Sequence, residues 1–166
     1  MDLKEDLERI ALQERELVLP SLDAEIAWRL GSHLRTLAHD RGLAVTIDIR
    51  RFGQPLFYAA MDGTTPDNLE WVRRKSNVVA RFHRSSYAVG IKEKIKGETI
   101  CESQGLPLGD YATHGGSFPL RVAGAGVVGS VTVSGLPMRE DHELVIEALC
   151  AVLSRDYAEL KLSPEE

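Results

Sequence analysis

The run His114-Gly115-Gly116-Ser117 places a titratable side chain beside two adjacent glycines. Paired glycines can adopt positive φ and let the backbone approach a ligand closely, and successive N–H groups there can form a concave anion site. An imidazole at this point could ligate a metal or haem iron, or transfer a proton near neutral pH. The alternative is a tight turn into a strand with His114 exposed, and the residues alone leave both open.

A basic stretch precedes this run. Residues 66–96 carry 8 basic and 3 acidic side chains, whereas residues 1–25 and 138–166 each carry 3 basic and 8 acidic ones. Arginine binds carboxylates and phosphates through paired hydrogen bonds. We select Arg74 and Lys75 as ligand-binding candidates, and Lys75 falls close to the apolar positions of its predicted helix. The basic stretch could hold an anion or the acidic surface of a partner subunit, and a solvated face is the alternative for any single residue.

A second glycine pattern, Gly124-Ala125-Gly126-Val127-Val128-Gly129, matches the G-x-G-x-x-G of dinucleotide-binding folds. That fingerprint needs a helix that opens on its last glycine and binds pyrophosphate at its end. Ser130-Val131-Thr132-Val133 follows instead, and its alternating β-branched residues favour a strand. We therefore interpret the glycines as a hairpin turn and, at Gly129, a strand position that faces another backbone.

Other side chains that could do chemistry have simpler explanations. Asp141 opens an amphipathic segment, so we predict a helix N-cap there, with a catalytic base as the alternative. Ser134 and Cys150 are the nucleophiles worth testing, although Cys150 lies in an apolar run typical of a core. The sequence contains no P-loop, H-E-x-x-H or G-x-S-x-G motif, so the common signatures of NTPases, zincins and α/β-hydrolases are excluded. An enzymatic function therefore ranks behind a binding function.

The elements that would position these residues follow from the spacing of the apolar side chains. Recurrence at three and four residues predicts helices over residues 3–14, 23–42, 66–86 and 88–95 and from 141 onward. Alternation predicts strands over residues 43–50, 56–61, 118–122 and 127–134, the first two joined as a hairpin through 53–55. Residues 97–119 are predicted as a long loop. The pattern indicates one α/β domain over residues 1–166, with a central antiparallel sheet flanked by helices.

The net charge and the lengths of the apolar runs limit the classes of partner that we expect. The formal net charge is −5 at pH 7, which argues against a general nucleic-acid or membrane binder. No apolar run approaches the roughly 20 residues that span a bilayer, and the acidic start lacks the apolar segment of a secretory signal. We therefore expect a cytoplasmic protein with reduced Cys101 and Cys150, and neither nucleic acid nor a membrane as its partner.

The C-terminal third also resembles a known family. The run from His114 to Leu120, the run from Gly126 to Pro137 and the pair Asp141-His142 are similar to the GlcG/HbpS-like family of haem-degrading domain proteins, and to its small cytoplasmic branch in particular. The resemblance implies a profilin-like α/β fold assembled into rings of several subunits. It also implies haem binding or slow haem breakdown.

Two functional hypotheses follow. The first is a cytoplasmic homo-oligomer that binds a small anionic ligand, haem or another metabolite. Its site would comprise His114, Gly115, Gly116, Ser117, Lys75 and Arg74, with His114 as the best candidate for a metal ligand. The second is a non-catalytic scaffold or chaperone-associated assembly protein without a small-molecule site. In that case the basic stretch would contact the acidic ends of a neighbouring subunit.

Overall fold

Helices and short strands alternate along the chain in the computed structural model, which describes residues 2–164. The helices are α1 (Leu3–Glu16), α2 (Ala24–Asp40), α3 (Pro66–Phe82), α4 (Ser86–Lys96), α5 (Ile100–Gln104), α6 (Met138–Val152) and α7 (Tyr157–Leu160). The strands are β1 (Val18–Leu19), β2 (Thr46–Arg51), β3 (Gln54–Ala60), β4 (Ser117–Val122) and β5 (Gly126–Ser134). Side-chain caps begin several helices: Asp23 accepts from the Ile26 amide at the start of α2, as the sequence predicts.

The strands form one sheet in the order β1-β4-β5-β2-β3. Neighbouring strands run antiparallel except for β1, which adds to the edge parallel to β4. The predicted fold class, an α/β arrangement with a mainly antiparallel central sheet flanked by helices, is confirmed. The short parallel strand β1 carries no alternation signal because it has only two residues.

The two faces of the sheet differ in chemistry. Ile47, Ile49, Val131 and Val133 point to one face and join the main apolar core with side chains of α2 and α6. The opposite face, crossed by α3, carries polar side chains that are also buried: Thr46, Asp48, Ser117, Ser130, Thr132 and Ser134. The alternation along residues 43–50 predicts one apolar and one solvated face. That second expectation is wrong for Thr46 and Asp48, because α3 covers them.

Several predicted boundaries need correction. Residues 97–119 are not all loop, because Thr99 begins a capping box that starts α5. The hairpin turn lies at Phe52-Gly53, and Pro55 belongs to β3, where an edge strand tolerates its missing N–H. The helix predicted to reach residue 86 ends at Phe82, because His83 adopts the left-handed conformation. Glycines 124 and 126 form the β4–β5 turn with positive φ, so the hairpin interpretation is confirmed.

Candidate functional site

A cavity of about 270 Å³ opens at the N-terminal half of α3, where the ends of β5 and α6 meet it. It is lined by polar and apolar side chains from all three elements and by two loop residues, His114 and Leu136: Asp67, Asn68, Trp71, Lys75, His114, Ser134, Leu136, Met138 and Asp141. Two of the candidates from the sequence, Lys75 and His114, therefore lie in one cavity. Ser134, considered as a nucleophile, lines the same cavity and is buried.

A buried ion pair forms the base of this cavity. Lys75 Nζ lies 2.9 Å from Asp141 Oδ2 and donates a second hydrogen bond, of 3.0 Å, to the Val133 carbonyl. The other Asp141 oxygen accepts from the Leu136 amide at 2.9 Å. Burial lowers the pKa of Lys75 and raises the pKa of Asp141, while their mutual attraction opposes both changes. Because each charged group has a charged partner and backbone hydrogen bonds, the pair can stay ionised.

The prediction that Asp141 is a helix N-cap is wrong. Pro137 occupies the cap position, α6 begins at Met138, and Asp141 lies one turn into the helix. Its carboxylate instead accepts hydrogen bonds from amides that precede the helix, at Gly135 and Leu136. The helix dipole still favours the negative charge of Asp141, because the residue lies near the N-terminus of α6.

The paired glycines allow their own loop to pack closely against neighbouring segments of the chain. Gly116 has φ of +126°, and a Cβ there would lie 2.3 Å from the Val133 carbonyl oxygen and 2.7 Å from Lys75 Nζ. A Cβ at Gly115 would lie 2.1 Å from the Met138 carbonyl oxygen. The glycines therefore let the loop before β4 pack against α6 and the ion pair, and this packing holds His114 at the rim of the cavity.

His114 packs against Trp71 of α3, and Arg74 contacts the same indole ring. Its ring packs edge-on against Trp71 with the centroids 4.9 Å apart, and the Arg74 guanidinium lies 4.8 Å from the centroid of the Trp71 ring. Burial, with smaller contributions from the charges of Lys75 and Arg74, lowers the pKa of His114 below its usual 6.5. The imidazole is therefore neutral at pH 7 and keeps a nitrogen lone pair for a metal or a proton.

A smaller cavity of about 170 Å³ adjoins His114 on the α4 side. It is mainly apolar, and its walls are Leu3, Tyr87, Gly90, Ile91, Lys94, Thr113 and Met138. Because His114 and Met138 line both cavities, they separate the polar cavity at Lys75 from this apolar one. The imidazole thus lies where a ligand with a polar end and an apolar end would meet both environments.

Ser117 lines neither cavity and lies among the buried polar residues of the sheet. Its hydroxyl is 2.8 Å from Thr132 Oγ1, its amide donates to Ser86 Oγ, and its side chain is fully buried. Ser117 supports the start of β4, and its hydroxyl is already paired within the protein.

Most of the basic stretch is paired within the chain. Arg73 bonds Glu70 and Asp110, and Arg74 donates twice to the Leu108 carbonyl. Arg84 pairs with Glu14 of the acidic N-terminal segment. Part of the basic stretch therefore pairs with the acidic N-terminal segment of the same chain.

Sequence reasoning missed a buried polar pair next to this site. His142 Nε2 lies 2.8 Å from Gln13 Oε1, and Gln13 Nε2 donates to the Leu160 carbonyl. Complete burial lowers the pKa of His142 to about 3, so its ring is neutral. Its Nδ1 has no hydrogen-bond partner among residues 2–164. The position of His142 in the first turns of a helix offered no signal, because Gln13 is remote in sequence.

The chain is similar to known proteins over most of its length. The family model described as "Haem degrading protein HbpS-like" matches residues 22–150, which include strands β2 to β5, α3 and the loop that carries His114. The chain belongs to this HbpS-like family. A UPF0303 protein of Burkholderia thailandensis is 62% identical over 163 residues, which cover 98% of this chain and 99% of that protein. A UPF0303 protein of Paraburkholderia phymatum is 58% identical over the same shares.

Solved structures confirm the HbpS-like fold. The Ybr137w protein superimposes with a TM-score of 0.83 at 28% identity, covering 89% of this chain and 87% of that one. HbpS itself gives a TM-score of 0.62 at 22% identity over 84% and 95% of the two chains. A complex of PduOC with haem gives 0.66 at 17% identity over 79% and 94%. At these lower identities the last two show the fold alone.

Further observations limit the metal-binding, nucleophilic and membrane-spanning capacity of this HbpS-like chain. Within residues 2–164 no three His, Cys, Asp or Glu side chains group closely enough to hold a bare metal ion. Burial raises the pKa of Cys150 to about 11, so its thiol stays protonated and is a poor nucleophile. No helix in the same part of the chain is long and apolar enough to cross a membrane.

Proposed function

We propose that this protein binds a small anionic ligand at the rim formed by His114, Trp71 and Arg74, with haem as the leading candidate. The observation that carries the proposal is the state of His114: its ring nitrogens make no hydrogen bond to residues 2–164, and its pKa is lowered. An imidazole that is neutral and unpaired at the mouth of a cavity can donate its lone pair to an iron. Membership of the haem-degrading family and the haem complex of a structural neighbour support the same ligand.

The residues at the rim fit a haem in three respects. His114 would hold the iron through its imidazole, and a haem can be held by a single histidine. Arg74 is only half-buried and supplies a cation that suits a propionate. Trp71 and Met138 supply apolar surface for the ring. At about 270 Å³ the cavity is slightly smaller than typical ligand pockets, so it would enclose only part of a tetrapyrrole. When bound, the haem would supply the redox chemistry.

A titration of ferric haem into the purified protein tests this proposal. We expect a saturable shift of the Soret band that is abolished by His114→Ala and weakened by Arg74→Gln. His39→Ala removes an exposed histidine of α2 and should leave the spectrum unchanged. Loss of the Soret band over time with a reductant and oxygen would extend the function to slow haem breakdown. An identical shift in the wild type and in His114→Ala would refute the assignment of the ligand.

Assembly into a homo-oligomer is part of the same proposal, as is a cytoplasmic location. Trp28 is 63% exposed and packs edge-on against Phe57 of the edge strand β3, next to exposed Tyr58. An open strand edge with exposed aromatic side chains favours association with another chain. The same surface supports the second candidate function, a non-catalytic scaffold or chaperone-associated assembly protein.

Sedimentation velocity across a range of salt concentrations separates the modes of assembly. Association through the Trp28 and Tyr58 surface should persist at high salt, since apolar burial is not screened. Dissociation at high salt would show that charge holds the subunits together instead. A wild-type protein that sediments as a monomer at all concentrations would overturn the oligomer.

A further inference from the structure

A third cavity, of about 280 Å³, lies at the opposite end of α3 from His114. The C-terminal half of α3 forms one wall, and the β2–β3 hairpin and the start of β5 form the other. Its lining comprises one arginine, one histidine, several small polar residues and an apolar wall: Arg50, Phe52, Ser76, Asn77, Ala80, His83, Val127, Val128 and Ser130. The cavity shares no residue with those beside His114.

Arg50 is held in a fixed orientation in this cavity. Its Nε donates to Asp48 Oδ1 at 2.7 Å, and the Asp48 side chain is 1% exposed. The two terminal guanidinium nitrogens have no hydrogen-bond partner among residues 2–164. An arginine anchored through Nε keeps the fork of its terminal nitrogens free, which is the arrangement that binds a carboxylate through two parallel bonds.

Ser130 offers a second donor on the same side of the sheet. It lies directly opposite Arg50 in the β2–β5 register, so both side chains project toward α3. The residue is only 5% exposed, and its hydroxyl makes no hydrogen bond to residues 2–164. The hydroxyl is therefore available to donate a hydrogen bond to a ligand in the cavity.

Backbone strain is concentrated at the rim of this cavity. Three residues other than glycine have positive φ within residues 2–164, and two of them, Phe52 at +48° and His83 at +53°, line this cavity. Phe52 occupies a two-residue hairpin turn, where asparagine or glycine is the usual choice, and its ring is 80% exposed. A bulky residue in the left-handed region is uncommon and marks functional positions more often than chance.

The chemistry of the walls defines the ligand. Phe52, Ala80, Val127 and Val128 supply an apolar surface, and Arg50 and Ser130 supply donors at the base. The charge of Arg50 is balanced in part by Asp48, so the base suits a singly charged group better than a doubly charged phosphate. We propose that this cavity binds a small monocarboxylate with an aromatic or aliphatic body, its carboxylate on Arg50 and Ser130 and its body against Phe52. This site is independent of the proposed function at His114.

Titration of the full-length protein with benzoate, followed by ¹H–¹⁵N NMR, tests the site. We expect saturable shifts at the amides of Gly53, Asn77 and Gly129. Benzamide has the same shape without the charge, and should bind about tenfold more weakly or worse, because it loses a charge-assisted bond. Phenyl phosphate should bind no more tightly than benzoate.

Variants assign the interaction to its residues. Because Arg50→Gln would leave buried Asp48 without its cation, we choose Arg50→Lys and Ser130→Ala, which should each weaken benzoate severalfold. Phe52→Gly relieves the strained turn and removes the ring, so it should raise the melting temperature while weakening benzoate. Arg35→Lys, on the exposed face of α2, is the matched control and should change nothing.

Three results would overturn the proposal. The first is the absence of saturable shifts at the three amides. The second is equal benzoate affinity in the wild type, Arg50→Lys and Ser130→Ala. The third is a change of sedimenting mass in Phe52→Gly with no change in benzoate affinity, which would make the Phe52 ring a contact between subunits.

Discussion

Lys75 and Asp141 form an ion pair that joins the middle of α3 to the first turns of α6, with Nζ and Oδ2 2.9 Å apart and both side chains almost fully buried. The pair lies beside the β5–α6 connection, whose Gly135 and Leu136 amides donate to Asp141. Gly116 leaves room for the pair, because a Cβ there would lie 2.7 Å from Lys75 Nζ. The pair therefore positions both the helix that carries Trp71 and the loop that carries His114.

Removing one partner of this pair should destabilise the protein strongly. Lys75→Met leaves the Asp141 carboxylate buried without its cation, so the free energy of unfolding should fall by about 3–5 kcal/mol. Replacing both residues, as Lys75→Met with Asp141→Leu, removes both buried charges and should restore most of that loss. Urea denaturation of the two variants measures the difference. A loss below about 1 kcal/mol for Lys75→Met would contradict the buried pair.

A methyl group at Gly116 should disrupt the same junction. In Gly116→Ala the new Cβ would meet the Val133 carbonyl oxygen and Lys75 Nζ, at a φ of +126° that alanine rarely adopts. We expect a loss of stability of more than about 3 kcal/mol, from strain and a displaced strand. Gly124→Ala is the matched control, since Gly124 also has positive φ but no atom within 4 Å of its Cβ. That variant should lose only about 1 kcal/mol, and equal losses would mean that φ alone explains both.

The parts of the fold that the sequence predicts are those with a local signal. The apolar spacing of α2 and the alternation of β5 lie within single segments, and both are confirmed. α5 was missed because it has five residues, too few for a period to show, within a stretch rich in glycine and proline. Burial of Asp48 was missed because the alternation of a strand does not reveal whether a helix covers its polar face.

The candidate site is predictable only in part, for the same reason. His114 stands out by its place beside two adjacent glycines and Lys75 by its position near the apolar residues of a helix, and the structure brings them to one cavity. The partner of Lys75 lies 66 residues away, and that of His142 lies 129 residues away. Pairing at such separations is set by packing between helices, which one sequence does not encode in any local pattern.

Stability should fall as the pH is lowered because of His142. Its pKa is about 3 when folded and near 6.5 when exposed, so the unfolded chain takes up the proton first, between those values. Raised pKa values of the buried carboxyls Asp48, Asp141 and Glu143 act in the opposite direction. The effect of His142 is therefore read as the difference between wild type and His142→Gln in urea midpoints from pH 7 to pH 4. The gap should narrow or reverse toward pH 4, and His39→Gln, at an exposed histidine of α2, is the matched control.

Trp71 should report the protonation of His114 directly. The chain has two tryptophans, and Trp28→Phe leaves Trp71 as the sole indole, with the His114 ring centroid 4.9 Å away. An imidazolium quenches indole fluorescence at contact more strongly than a neutral imidazole, so emission should fall as the pH is lowered through the pKa of His114. Burial and the charges of Lys75 and Arg74 lower that pKa, so the midpoint should lie below pH 6.5.

Two variants make this titration specific. In the Trp28→Phe background, His114→Asn should abolish the transition, because no titrating ring then contacts Trp71. Arg74→Gln should move the midpoint upward, since it removes a nearby positive charge that disfavours the imidazolium. A midpoint above pH 6.5 in the parent would mean that the imidazolium is stabilised at the rim. His114 would then be protonated over more of the pH range in which a haem iron needs its lone pair, and the proposal that His114 binds haem would lose its physical basis.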